Sequence, residues 1–153
     1  MLLMRQLTML VATLLVLLQP GVASAEDQFD LTAYEGKVVI VDFWASWCVP
    51  CRRSFPWMNT MHDEYADDGL VIIAVNLDQE RAAAEEFLAE FPPKFKIIYD
   101  ETKDLARSFD VMAMPTSYLI GRDGQQIERH FGFKVKKQHE YESAIAAALG
   151  VEE

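Results

Sequence analysis

Residues 37–43 read Lys-Val-Val-Ile-Val-Asp-Phe, a β-branched apolar run bounded by Gly36 on one side and by Trp44-Ala45-Ser46-Trp47 on the other. A run with almost no polar alternation suits a strand buried on both faces, so the sheet that holds it must be covered on both sides. Residues 70–76 repeat that signature. Between them the spacing predicts a helix over 48–65, with Phe55, Met58, His62 and Tyr65 three or four residues apart and Pro50 in a first turn that tolerates proline. Pro56 lies inside that helix and is expected to kink it.

A second helix is expected over 79–91, with Ala84, Phe87, Leu88 and Phe91 on one face and Glu80, Glu85, Glu86 and Glu90 largely on the other. Strand, helix, strand, helix implies parallel pairing through right-handed crossovers. Pro92-Pro93 stops the second helix, 96–99 reads as a short strand and 103–109 as a short helix. The pattern then changes. Runs 116–120 and 126–130 flank Gly121-Arg122-Asp123-Gly124, whose Asp-Gly step marks an antiparallel hairpin. A last helix over 136–149 carries Tyr141, Ala144, Ile145, Ala148 and Leu149 as its stripe. The expected architecture is α/β: a mixed central sheet flanked by helices.

The first strand delivers the chain directly to Trp47-Cys48-Val49-Pro50-Cys51, which holds both cysteines of the chain. A Cys-x-x-Cys pair in this setting reads as a redox pair. At a helix N-terminus the backbone N–H groups and the dipole favour a thiolate on Cys48, making it the attacking sulfur. Cys51, on the inner side of the same turn, can then resolve a mixed disulfide. As a mere staple the pair would be weak, since a loop over two residues removes little chain entropy. Zinc would need four ligands, and His62, His130 and His139 are scattered without forming a second Cys/His pair. A c-type haem attachment needs His after the second cysteine, where Arg52 stands. No metal and no cofactor is expected.

Three further features surround the pair. Asp42 interrupts an apolar strand; burial without a cation would raise its pKa, and it could then take the proton of Cys51, directly or through a water. The alternative is a strand-end carboxylate that accepts hydrogen bonds from the following loop. Met114-Pro115-Thr116 places a proline just before a strand, where a cis bond would turn the Met114 backbone outward beside Cys48 and let an extended substrate pair with it. Local sequence by itself favours trans there. Trp47 and Trp44 could form an apolar rim for a partner protein, although Trp44 fits core packing equally well.

The first 25 residues carry one charge, Arg5, then an apolar core over 7–18 broken only by Thr8 and Thr13, then Ala23-Ser24-Ala25. This is the layout of a cleaved secretory signal, and the core is shorter than the roughly 20 residues a membrane span needs. The expected organisation is a signal peptide over 1–25 and one domain over 26–153, with an uncleaved inner-membrane anchor as the alternative. Export to an oxidising compartment such as a bacterial periplasm would let a disulfide persist. With 24 acidic against 14 basic residues the chain has a net charge of −10, which argues against nucleic acid or anionic lipid as partner.

Together, the segment from Val41 through Trp44 to Cys51, Pro56 five residues later, Val75-Asn76-Leu77-Asp78 and Met114-Pro115-Thr116 resemble the thioredoxin superfamily. Within it the chain looks most like the secreted TlpA/ResA/DsbE-type thioredoxins, with a helix-strand insertion at about 80–100 and Phe109-Asp110-Val111 before the proline. The resemblance spans roughly residues 31–149 and implies a cis Pro115, overriding the local preference. It departs in four places. Ala74 stands where cytoplasmic thioredoxins keep a lysine beside the buried aspartate, which would leave Asp42 more often protonated. Many TlpA/ResA-type chains have Asn where this one has Asp42, the N-terminal hairpin is truncated, and Val49 differs from both family patterns. The resemblance implies a periplasmic thiol-disulfide oxidoreductase, more a reductant than an oxidant. Cys48, Cys51 and Asp42 would do the chemistry, with Trp47, Met114 and Pro115 holding substrate. Its partners would be exported disulfide proteins such as apocytochrome c and a thiol-reducing membrane donor. The competing expectation is a non-catalytic binding module or copper metallochaperone, for which the histidine spacing supplies no soft ligands.

Overall fold

The structure is a computed structural model that describes residues 29–151; the expected signal over 1–25 lies outside the described residues. A single 3₁₀ turn, Leu31–Tyr34, opens the described chain. The strands are β1 (Val38–Trp44), β2 (Leu70–Asn76), β3 (Lys96–Tyr99), β4 (Thr116–Ile120) and β5 (Gln126–Phe131). The helices are α1 (Cys51–Tyr65), α2 (Arg81–Glu90), α3 (Asp104–Ser108) and α4 (Gln138–Leu149). The five strands form one sheet in the order β3-β2-β1-β4-β5. β1, β2 and β3 run parallel, and β4 and β5 join antiparallel, so the sheet is mixed as expected.

β1 lies at the centre and all seven of its positions are buried, because it has a strand on each side and packing on each face. Its side chains alternate between two cores. Val38, Ile40 and Trp44 face α1, α2 and α4, packing with Phe55, Met58, Phe87 and Ile145. Val39, Val41 and Phe43 face the other way, against Ala106 of α3, Phe109, Leu31 and Tyr34. Both faces are covered, but three helices crowd the first. There Trp44, Phe55 and Phe87 meet with ring centroids 4.8 to 4.9 Å apart, and such pairs contribute about 0.5–1.5 kcal/mol each beyond burial.

Two expectations need correction. α1 begins at Cys51 and not at Cys48, since residues 48–50 form a turn in which the Cys51, Arg52 and Arg53 amides donate to the carbonyls three residues back. Pro50, at φ −62°, caps the helix from outside. The inward face of α1 also carries Cys51, Ser54 and Met61, while His62 sits half-buried beside it. Pro56 lies within α1 and gives the Arg52 carbonyl no amide partner.

The hairpin turn is closed by the Gly124 amide on the Gly121 carbonyl, with Gly124 at φ +76°, a conformation that favours glycine. Arg122, at its tip, donates to the carbonyls of Gly36, Asp68 and Leu149, tying three separate chain segments together at the end of the sheet away from the cysteines.

Candidate active site

The loop that leaves β1 carries the cysteines because Trp44 is the last strand residue and is buried completely. That assigns Trp44 to the core, whereas Trp47 stands 68% exposed and Val49 65% exposed on either side of Cys48. Cys48 and Cys51 are joined in a disulfide with Cα atoms 5.3 Å apart. Cys51 is wholly covered; Cys48 keeps 3% of its surface, so any partner sulfur must come to Cys48. The amides expected to be free at this helix end are engaged in the tightened first turn, so the α1 dipole remains as the field acting on Cys48.

The loop is held by a buried carboxylate, Asp78, the last residue of the Val75-Asn76-Leu77-Asp78 motif. Asp78 accepts from the Ser46 amide at 2.9 Å, the Ser46 hydroxyl at 2.8 Å and the Asn76 side-chain amide at 2.7 Å, while its own amide donates to Asn76 Oδ1. Asp78 thus clamps the residue two before Cys48 onto the end of β2. Asp78→Ala strands those donors in a buried setting and is expected to cost about 3 kcal/mol of oxidised-state stability, read by urea denaturation; a cost below about 1 kcal/mol would mean the clamp does not hold the loop.

Asp42 is fully buried on the face of β1 that supports α1. Its neighbours follow from strand register: Ala74 on β2 and Ser117 on β4 stand directly opposite. Ala74 offers no charge. Ser117 donates its hydroxyl to Asp42 Oδ1, and Asp42 Oδ2 has no partner among the described residues. Burial pushes the Asp42 carboxyl up to about 7, with the Ser117 hydrogen bond pulling the other way. Asp42 lines a cavity of about 30 Å³ together with Ser54, Trp57, Met58, Ser117 and His130. Ser54 bonds the Cys51 carbonyl at 3.2 Å, so this cavity lies under the first turn of α1.

The Met114–Pro115 peptide is cis, as the resemblance implied and against the local preference. The Pro115 carbonyl accepts from Gly132 N at 2.7 Å, and Thr116 Oγ1 bonds the Ala113 carbonyl, which fixes the bend. Met114 packs against the core cluster that contains both cysteines. Beside it, Met112 is 79% exposed, and Leu77, Val111, Met112 and Met114 line an open groove. Among the described residues no group of three or more His, Cys, Asp and Glu side chains is placed to hold a metal. His62 and His130 lie next to Asp63 and Glu128, and His139 is exposed.

The signal for Ser117 and His130 was absent from local sequence, since only pairing register brings them to Asp42. Asp78 had one visible cue, a carboxylate directly after an apolar strand.

The fold recurs in known proteins. A candidate thiol:disulfide interchange protein DsbE from Chlorobium tepidum is 45% identical, with a TM-score of 0.76 over 78% of this chain and 85% of that one. StoA from Bacillus subtilis is 26% identical, with a TM-score of 0.62 over 71% of this chain and 84% of the other. The thiol-disulfide oxidoreductase ResA of Bacillus thuringiensis subsp. konkukian is 33% identical over 74% of this chain, and the chain spans 65% of that relative's length, slightly under two thirds. Residues 12–147 match the Redoxin family, which is most of the sequence. The chain therefore belongs to the Redoxin family, built on a thioredoxin-like fold.

Proposed function

We propose that the protein is an exported thiol-disulfide oxidoreductase that reduces disulfides in other exported proteins. The observation that carries this reading is the Cys48–Cys51 disulfide itself, at the start of α1, with the edge of Cys48 reachable between the exposed Trp47 and Val49. The kinship with a thiol-disulfide oxidoreductase, ResA, supports the thiol-disulfide chemistry. In the reduced protein the Cys48 thiolate attacks a substrate disulfide, forming a mixed disulfide and releasing one substrate thiolate. Cys51 then attacks Cys48: the Cys48–substrate bond breaks, the Cys48–Cys51 bond forms, and the second substrate thiolate leaves with the electron pair. The Cys51 proton goes to the buried Asp42 carboxylate, whose position under the first turn of α1 and raised affinity for protons suit that task. The Met114 backbone at the cis Pro115 and the Trp47 ring receive the substrate segment.

The leader over 1–25 supports export to the periplasm, where each turnover leaves the pair oxidised and a thiol-reducing membrane donor must restore it. Apocytochrome c is the substrate class that the resemblance to secreted TlpA/ResA/DsbE-type thioredoxins implies. The direction is tested by equilibrating the protein with glutathione or dithiothreitol buffers and quenching with a thiol-specific reagent. A potential near or below that of thioredoxin, about −270 mV, is expected for a reductant. A potential near about −120 mV, that of a strong oxidant, would overturn the reductase direction while leaving the thiol chemistry intact.

A further inference from the structure

Asp42, Ser117 and His130 stand in one row across three adjacent strands: Asp42 opposite Ser117 in the β1–β4 register, Ser117 opposite His130 in the β4–β5 register. Residues directly opposite in antiparallel pairs share a sheet face. At about 4.8 Å per strand, the row runs about 10 Å from the centre of the sheet to its edge. Its inner end is sealed and its outer end is wet. Asp42 is fully buried, Ser117 is half-buried, and His130 on the edge strand reaches the surface, with Nε2 2.9 Å from a Glu128 carboxylate oxygen. The cavity that Asp42 faces is also lined by His130, and its volume of about 30 Å³ exceeds the roughly 15 Å³ a water needs.

We propose that this row is the path by which the proton held on Asp42 exchanges with solvent: carboxyl to Ser117 hydroxyl, on to His130 through the shared cavity, and out past Glu128. The inference rests on the role given to Asp42 above. A fully buried carboxyl that already holds a proton must release it before it can take the one from Cys51, and this row is the wall of the cavity that joins exchangeable side chains to an end at the surface. On the β2 side Ala74 carries no exchangeable proton; α1 contributes Ser54, Trp57 and Met58. From α4 the titratable side chain facing the cavity is Tyr141, whose ring lies 4.6 Å from the His130 ring. A hydroxyl can accept one proton while passing on its own, and a neutral imidazole offers an acceptor nitrogen and a donor nitrogen, so the row contains the groups a relay needs. His130 and Ser117 are positioning and relay residues here, lining a cavity whose walls include neither cysteine.

The test follows the mixed-disulfide resolution step by tryptophan fluorescence in stopped flow, with the reduced full-length protein and oxidised glutathione at pH 7. His130→Gln is expected to slow this step about tenfold, and free imidazole in the buffer is expected to restore it. Ser117→Ala should slow the same step and Ser117→Thr, which keeps the hydroxyl, should not. In an Asp42→Asn background neither His130→Gln nor imidazole should change the rate further. A wild-type rate in His130→Gln, a loss that imidazole does not repair, or a loss that persists in the Asp42→Asn background would each overturn the relay. If His130→Gln does not fold, the Ser117 pair decides alone. A wild-type protein that fails to react with glutathione at all would instead overturn the oxidoreductase reading.

Discussion

Cys48→Ser is expected to lower insulin-disulfide reduction by on the order of 10³, the scale on which removal of a nucleophile abolishes turnover. Cys51→Ser should fail differently. Cys48 can still attack, but nothing resolves the adduct, so the variant should accumulate a covalent mixed disulfide whose mass drops back on addition of dithiothreitol. The asymmetry comes from geometry: Cys51 is wholly covered within the first turn of α1, and only Cys48 presents an edge to the surface, flanked by Trp47 and Val49. Trapped partners from an extract should be joined through Cys48, and peptide mapping of the adduct checks this. Adducts through Cys51 would reverse the assignment of attacker and resolver. Equal inactivity of wild type and Cys48→Ser, with tight binding of Cu(I) by the wild type, would favour the carrier reading.

What the chain revealed about itself before folding depended on how local the physics is. Runs 96–99 and 116–120 matched their strands because β-branched runs between turn residues need no partner to be recognised. The start of α1 moved by one turn because Pro50 and the tight Cys48–Cys51 spacing place 48–50 in a turn that helical periodicity does not see. Spacing alone puts His62 on the inward face of α1 where the structure has Met61, as two positions adjacent on a 3.6-residue period differ by only about 100°. At the site, the cis bond at Pro115 followed from the family resemblance against the local preference, whereas the cysteines announced themselves by residue type. Ser117 and His130 did not, since a serine and a histidine on two later strands acquire meaning only when register sets them in line with Asp42. Asp42 was visible as an anomaly, and the strand-end alternative does not describe where it lies: it is in the strand interior, two residues from the end, beneath a cavity, and accepts from Ser117 on the neighbouring strand.

That setting gives Asp42→Asn two opposite effects. The variant cannot accept the Cys51 proton, so the resolution step should slow about a hundredfold at neutral pH, within the usual range for loss of a general base. Stability should move the other way. The carboxyl rises from 3.8 to about 7 on folding because burial disfavours the charged form. Below 3.8 both folded and unfolded chains hold the proton, and Asp42 gives stability no pH dependence. Between 3.8 and 7 the unfolded chain has released the proton and the folded chain keeps it, so the fold is progressively destabilised as pH rises through that window. Above 7 the penalty is complete, about 4 kcal/mol for a shift of about three units. Asn has no such titration. Guanidinium denaturation of the oxidised proteins should therefore show wild type losing about 2–3 kcal/mol relative to Asp42→Asn between pH 5 and pH 8. Parallel stability profiles over that range would mean that Asp42 is not the buried, proton-holding group described above. A strand that tolerates this penalty at its centre, where Asn would remove it, is what the proposed proton-accepting role of Asp42 requires.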